Sequence, residues 1–199
     1  YWDALQLVRE WTKENHRVMH DKVVEVTGAK VGDRFWNEHN FVFREDMGDH
    51  SVFWHAKGAT PIHNAFLPDT NGIQIIPMNM AHPILLVKGE RNEMNRGFAP
   101  HGAGRHVSRS AHLRQLTEKG ITPEQAFDME TQGIDARFFM GNVDASELPS
   151  AYKSPEAVER GIRENNLANI VDRVLPYGSI MAGDWQKDVD WKKFKKNKK

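Results

Sequence analysis

The chain of 199 residues contains no cysteine. That excludes disulfides, a thiolate nucleophile and thiolate metal ligands within it. No apolar run approaches the length that spans a bilayer, and no charged-then-apolar leader opens the chain. These absences fit a cytoplasmic protein without a membrane partner. An initiating methionine is also missing. The chain opens at Tyr1 in what reads as the middle of an amphipathic helix, which predicts a piece of a longer protein. Net charge is zero, with 27 basic residues against 27 acidic ones. The balance conceals an uneven placement. From Trp185 to Lys199 seven lysines face only Asp188 and Asp190, so this tail carries +5 and residues 1–184 carry −5. Trp185, Trp191 and Phe194 interleave with those lysines, a pattern that suits phosphate neutralisation with base stacking and equally a solvated terminus.

What is present is an ordinary globular composition, 39% hydrophobic and 27% charged, long enough for one domain with a real core. Apolar residues from Leu5 to Val23 recur at helical spacing, which predicts a helix over 3–26 ended by Gly28. Residues 34–44 and 51–57 read as a strand hairpin around a polar turn at 45–49. Two short strands are expected at 72–77 and 84–88, and a loop at 91–100. A helix follows over 108–119, closed by Gly120. Thr122-Pro123-Glu124-Gln125 and Ser154-Pro155-Glu156 each read as a capped helix start with proline at the first position. Residues 167–175 suit helix or strand. The expectation is an α+β fold, strand-rich in its first half and helical in its second. It comprises one domain over 1–184 and a basic Lys/Trp tail over 185–199.

Chemistry concentrates in Ala99-Pro100-His101-Gly102-Ala103-Gly104-Arg105-His106-Val107-Ser108-Arg109. Almost no bulk follows His101, so main-chain N–H groups can approach a phosphate closely. Arg105 and Arg109 offer forked donors for phosphate charge. His101 itself suits a metal ligand, a general acid/base, or a nucleophile that accepts a phosphoryl-type group. A surface turn would explain His-Gly alone but not the whole string. A second candidate is Asn37-Glu38-His39-Asn40. In a strand, His39 and Asn37 would share one face and Asn40 the other. A neutral His39 suits manganese or zinc, and the neighbouring amide suits phosphate oxygens. Three weaker signals are Trp54-His55-Ala56-Lys57-Gly58-Ala59-Thr60, Ile76-Pro77-Met78-Asn79-Met80 and Leu148-Pro149-Ser150-Ala151-Tyr152-Lys153. The first places a lysine at a strand end, the second an amide in an apolar loop, the third a stacking tyrosine. The remaining histidines show no ligand spacing.

Taken in order, these strings resemble the RtcB-type RNA ligases, the GTP- and manganese-dependent enzymes of tRNA splicing and RNA repair. The resemblance runs from Tyr1 to about Gly183 and covers the C-terminal half or so of the family's length. It implies the C-terminal portion of an RtcB-like catalytic domain. It also implies that His101 attacks the α-phosphate of GTP to form a GMP–histidine, with Gly102, Ala103 and Gly104 along the nucleotide. His39 becomes a ligand of a two-ion manganese site, with Asn40 beside the nucleotide. Pro77, Met78, Asn79 and Met80 line the guanine pocket, and Tyr152 stacks on the base. The implied partner is RNA carrying a 2′,3′-cyclic phosphate or 3′-phosphate end and a 5′-hydroxyl end, with room for an activating protein factor.

The departures are specific. The family's guanine loop reads Ile-Pro-Gly-Ser-Met-Gly, against Ile76-Pro77-Met78-Asn79-Met80-Ala81 here. The family's closing lysine has no counterpart in Pro176–Gly183. The family's other metal ligands, an aspartate, a bridging cysteine and two histidines, lie upstream. The 199-residue piece alone is therefore expected to be inactive as a ligase. Two other readings compete. One is a degenerate guanine-nucleotide or RNA-binding module without turnover. The other is an unrelated metal-dependent hydrolase that uses His39 and His101 as ligands.

Overall fold

Leucine, valine and tryptophan at helical spacing build one long helix, α1 (Trp2–Thr27), stopped where Gly28 turns left-handed at φ 65°. The computed structural model describes residues 1–67, 71–139 and 141–182, so the basic tail lies outside the described residues. Its contacts separate a unit of Tyr1–Asn37 from a second unit that begins at Glu38.

In the first unit α1 buries no residue, and Leu7, Trp11 and Val23 stay exposed. Charge and ring contacts organise it. Arg17 bridges Glu14 and Asp21 one turn to either side, Arg34 reaches back to Asp21 at 2.5 Å, and His16 lies against Trp36 with centroids 4.8 Å apart.

The second unit begins with the expected hairpin, β1 (Asn40–Asp46) and β2 (Ser51–Lys57), paired antiparallel with Asn40 opposite Lys57. The strand expected from residue 34 starts only at Asn40. The ladder ends where β2 meets Gly58, which turns at φ 68°. His39 therefore sits just outside the strand, and its facing relation to Asn37 does not arise. Next come β3 (Ala59–Pro61), β4 (Gln74–Pro77), β5 (Ile84–Lys88) and β6 (Phe98–Pro100). β6 falls inside the stretch expected to be loop. It is a strand because β3 offers it a partner, with Ala59 opposite Pro100.

Helix starts follow their caps closely. Ser108 caps α2 (Arg109–Glu118), and Thr122 and Gln125 form a reciprocal capping box at α3 (Pro123–Glu130). Ser154 caps α4 (Pro155–Glu164). The second half also holds strands: β7 (Asp135–Phe138), β8 (Asn169–Val174) and β9 (Gly178–Met181). The ambiguous stretch 167–175 becomes β8 because it adds to the free edge of β5, giving a three-stranded sheet in the order β4-β5-β8. β7 and β9 pair in parallel. The result is an α+β fold.

Two apolar clusters and one aromatic group hold this unit. Ile62, Ile76, Leu85 and Val87 pack with Ile162 of α4 beneath the three-stranded sheet. Met80, Leu116, Ala126 and Leu148 join α2 and α3 to the 145–148 turn. Phe43, Phe66 and Phe98 cluster near Trp54, and Arg91 lies 5.0 Å over the Trp54 ring while pairing with Glu45. That pairing holds the Glu45 carboxyl below the usual carboxylate range. Among the described residues no helix is long and apolar enough to cross a membrane.

Candidate active site

Gly58 organises the histidines. Its N–H donates to the His39 carbonyl at 2.7 Å and to Asn40 Oδ1 at 3.1 Å, and its own carbonyl accepts the His101 N–H at 3.3 Å. A Cβ at this position would stand 3.3 Å from His101 Cδ2, and φ is left-handed, so only glycine fits without strain. The β3–β6 pairing supplies the other constraint, because it carries the chain through Pro100 directly to His101 beside Gly58. The rings of His39 and His101 consequently stack face to face, 4.7 Å between centroids and 6° from parallel. Burial, with the nearby His39 adding to it, pushes the His101 imidazole below its ordinary value. The neutral, nucleophilic ring is the favoured form.

The glycine string then closes against two other segments. A Cβ on Gly102 would lie 2.9 Å from the Pro77 carbonyl, so the end of β4 touches the string and excludes any side chain there. The Gly104 carbonyl accepts the Lys153 N–H at 3.0 Å, the His106 N–H reaches the Ala151 carbonyl at 3.0 Å, and Arg105 bridges to Tyr152. These ties frame two cavities. One, of about 410 Å³, is lined by Gly58, His101, Gly102, Gly104, Lys153 and Gly161. The other, of about 440 Å³, is lined by Asn79, His82, Glu130, Ser150, Tyr152 and Lys153. Lys153 faces both.

The sequence-chosen residues distribute unevenly. His39, Asn40, His101, Gly102, Ala103 and Gly104 come together, although Ala103 is buried in the core. Pro77 is exposed and abuts Gly102. The side chains of Met78 and Met80 enter the two apolar clusters, which leaves Asn79 between them at the second cavity with Tyr152. Arg105 and Arg109, read from sequence as phosphate contacts, are engaged within the protein. Arg105 donates to the Ser146 carbonyl at 2.5 Å, pairs with Glu147 at 3.0 Å and lies 4.9 Å over the Tyr152 ring. Arg109 donates to Ser146 Oγ at 2.9 Å and pairs with Glu147. The Tyr152 hydroxyl donates to Glu147 at 2.5 Å. Burial first, then this carboxylate, pushes the Tyr152 phenol up to about 12, so it stays protonated. Glu147, His82 and Lys153 escaped the sequence reading. Only Lys153 carried a signal, as the residue after Tyr152.

Among the described residues no three His, Asp or Glu side chains gather as a metal site. Two stacked imidazoles are an incomplete donor set for manganese, so these residues fit a share of a metal centre and not the whole of one.

Comparison with known proteins identifies the family. The family model described as "tRNA-splicing ligase RtcB" matches residues 1–182. The chain is 30% identical to a tRNA-splicing ligase RtcB of Thermococcus kodakarensis over 188 residues, covering 89% of the chain and 38% of that protein. It is 33% identical to the Pyrococcus horikoshii protein of the same name, covering 89% and 21%. It is 34% identical to the RNA-splicing ligase RtcB2 of Escherichia coli over 155 residues, covering 77% and 37%. The chain thus spans between a fifth and two fifths of the length of these relatives.

Proposed function

The chain belongs to the RtcB family, and from that membership we propose that its parent protein is an RNA ligase of tRNA splicing or RNA repair, with His101 as its nucleophile. The observation that carries this reading is the stack of His101 on His39 beside a cavity floored by glycine. The imidazole favours its neutral form, and the small residues after it leave room for a phosphate chain.

In the first step a His101 nitrogen attacks the α-phosphorus of GTP. An N–P bond forms, the bond to the bridging oxygen breaks, and pyrophosphate leaves. Water opens a 2′,3′-cyclic phosphate end to a 3′-phosphate. That phosphate takes the GMP from His101 and releases the imidazole. A 5′-hydroxyl then attacks the activated phosphorus, joins the RNA ends and expels GMP. Lys153, between the two cavities, supplies a cation for phosphate oxygens. Gly58 and Asn40 hold the His39–His101 pair in register. His39, together with donors from outside these 199 residues, would hold manganese, which would supply counter-charge and Lewis acidity there. The 199 residues alone accordingly do not complete the reaction.

The test is intact mass of the full-length protein after incubation with GTP and manganese. A gain of one GMP, removed by acid and absent in His101→Ala, is the expected result. GTP binding with no adduct would replace the ligase by a binding module.

A further inference from the structure

The reaction above leaves Trp185–Lys199 unused, and this segment lies beyond the family match, which ends at residue 182. Its seven lysines, two aspartates and three aromatic residues give it +5, against −5 for residues 1–184. The fold decides where that charge is delivered. β9 runs parallel to β7, the Met181 carbonyl accepts the Phe139 N–H at 2.7 Å, and the Ser179 hydroxyl donates to the Met80 carbonyl at 2.6 Å. Met80 follows Asn79, which lines the second cavity. The root of the segment, four residues before Trp185, is therefore tied to the loop that borders the candidate active site. The arginines of the body, meanwhile, are already matched. Arg17, Arg91, Arg105, Arg109, Arg137 and Arg173 each pair with a carboxylate, and the two beside the glycine string both face Glu147. A polyanion approaching these residues meets a body of net −5, so the long-range attraction comes from residues 185–199.

A lysine ammonium is a compact charge with three donors, and it takes phosphate oxygens without regard to the base. Trp and Phe faces stack on any base that is not already covered by its neighbours. The two together complement a single strand, because a duplex hides its base faces. An anionic lipid surface would also attract the lysines, but a root beside the nucleophile's cavities favours the strand whose end must reach them. We propose that Trp185–Lys199 binds the single-stranded RNA adjoining the end to be joined, with lysines on its phosphates and Trp185, Trp191 and Phe194 on its bases. Binding of this kind is independent of sequence. The proposal rests on the RNA-ligase reading given above for the identity of the strand. It belongs to this chain's own residues and not to the family match, which stops at the root of the segment.

The experiment uses the full-length protein and a fluorescent RNA oligonucleotide with a 3′-phosphate, single-stranded or annealed to its complement. One variant carries Lys187→Gln with the same change at the other six lysines of the segment. A second carries Trp185→Ala, Trp191→Ala and Phe194→Ala. Fluorescence anisotropy over a range of salt gives the dissociation constants, and intact mass gives GMP transfer to His101 with RNA absent. The lysine variant is expected to bind the single strand at least about tenfold more weakly at low salt. Its slope of log affinity against log salt should be shallower by about 2 or more, since each phosphate contact contributes about 0.7. The aromatic variant should lose about five- to tenfold on the single strand with its salt slope unchanged, and less than about twofold on the duplex. GMP transfer without RNA should be unchanged in both. A lysine variant with wild-type affinity and slope overturns the proposal. So does one that binds RNA more tightly, which would seat the segment on the acidic body. Segment-dependent binding to phosphatidylserine vesicles with segment-independent binding to RNA overturns it in favour of a membrane surface, and equal losses of the aromatic variant on single strand and duplex overturn the choice of a single strand. GMP transfer with segment-independent RNA binding removes this proposal and leaves the ligase. Segment-dependent RNA binding by a wild type that shows no GMP transfer removes the ligase and keeps the RNA-binding segment.

Discussion

The two cavities share Lys153, but what supports His101 and what supports Tyr152 are built in opposite ways. Around His101 the wall is main chain. Carbonyls of His39 and Gly58 and the close pass of Gly102 on Pro77 fix the geometry, and few side chains are committed. Behind Tyr152, off the cavity lining, stands a side-chain network in which Ser146 and Glu147 engage Arg105 and Arg109. The nucleophile proposed at His101 needs room and a neutral ring, which glycine and partial burial provide. A stacking role for Tyr152, as the family resemblance implies, needs immobility, which ion pairs and hydrogen bonds provide. The difference explains why the same few turns of chain hold both the most permissive and the most cross-linked parts of the site.

The largest effect is expected from breaking the main-chain wall. Gly102→Ala would force the string away from Pro77 by several tenths of an ångström, displacing His101 from its stack. GMP transfer measured by intact mass should fall about a hundredfold, with the protein still folded by thermal melting. An unimpaired rate would mean that the close pass on Pro77 does not position the nucleophile.

The side-chain network behind Tyr152 should respond differently, in stability before activity. Glu147→Gln keeps the shape and removes the charge that faces both arginines and Tyr152. A loss of about 2 kcal/mol is expected in chemical denaturation, where a charged hydrogen-bond acceptor is removed from a partly buried site. The same variant tests the Tyr152 phenol. In the folded wild type this group ionises at about 12, whereas an unfolded tyrosine does so near ~10. Its contribution to stability is therefore whole below about pH 10 and is lost as pH rises toward 12. Glu147→Gln should move the phenolate absorbance of Tyr152, isolated by difference against Tyr152→Phe, to lower pH. An unmoved titration would assign the shift to burial alone.

The smallest effect is expected at the residue the two walls share. Lys153→Ala should weaken GTP binding a few-fold and reduce its salt dependence, because one exposed cation acts through screened charge. Binding that is equally salt-sensitive in the variant would place the phosphate chain away from Lys153.

Local punctuation was readable with good accuracy. Thr122 with Gln125 and Ser154 with Pro155 marked helix starts to the residue, since a cap is a short-range hydrogen bond between neighbours in the chain. The hairpin of β1 and β2 was readable for the same reason. The β3–β6 and β7–β9 pairings were not, because three- and four-residue strands carry little periodicity and gain their structure from a partner far along the chain. Residues 167–175 were undecidable until β5 supplied an edge.

The amino-acid order alone singled out His101 with the glycines that follow it and the α+β class, which follow from residue chemistry and short-range geometry: an imidazole before two glycines, caps before apolar periods. His39 and Tyr152 were weak signals by themselves and became site candidates through the resemblance to the RtcB family. The tertiary structure alone decided that His101 would stack on His39, that Glu147 would tie Arg105 to Tyr152, and that Met78 and Met80 would enter two different cores while Asn79 met His82 at a cavity. Apart from Asn79 and His82, which a turn of the same loop joins, these are meetings of groups distant in the chain. Their energies depend on burial and on a partner's position, and neither quantity exists until the sheets and helices have closed around them.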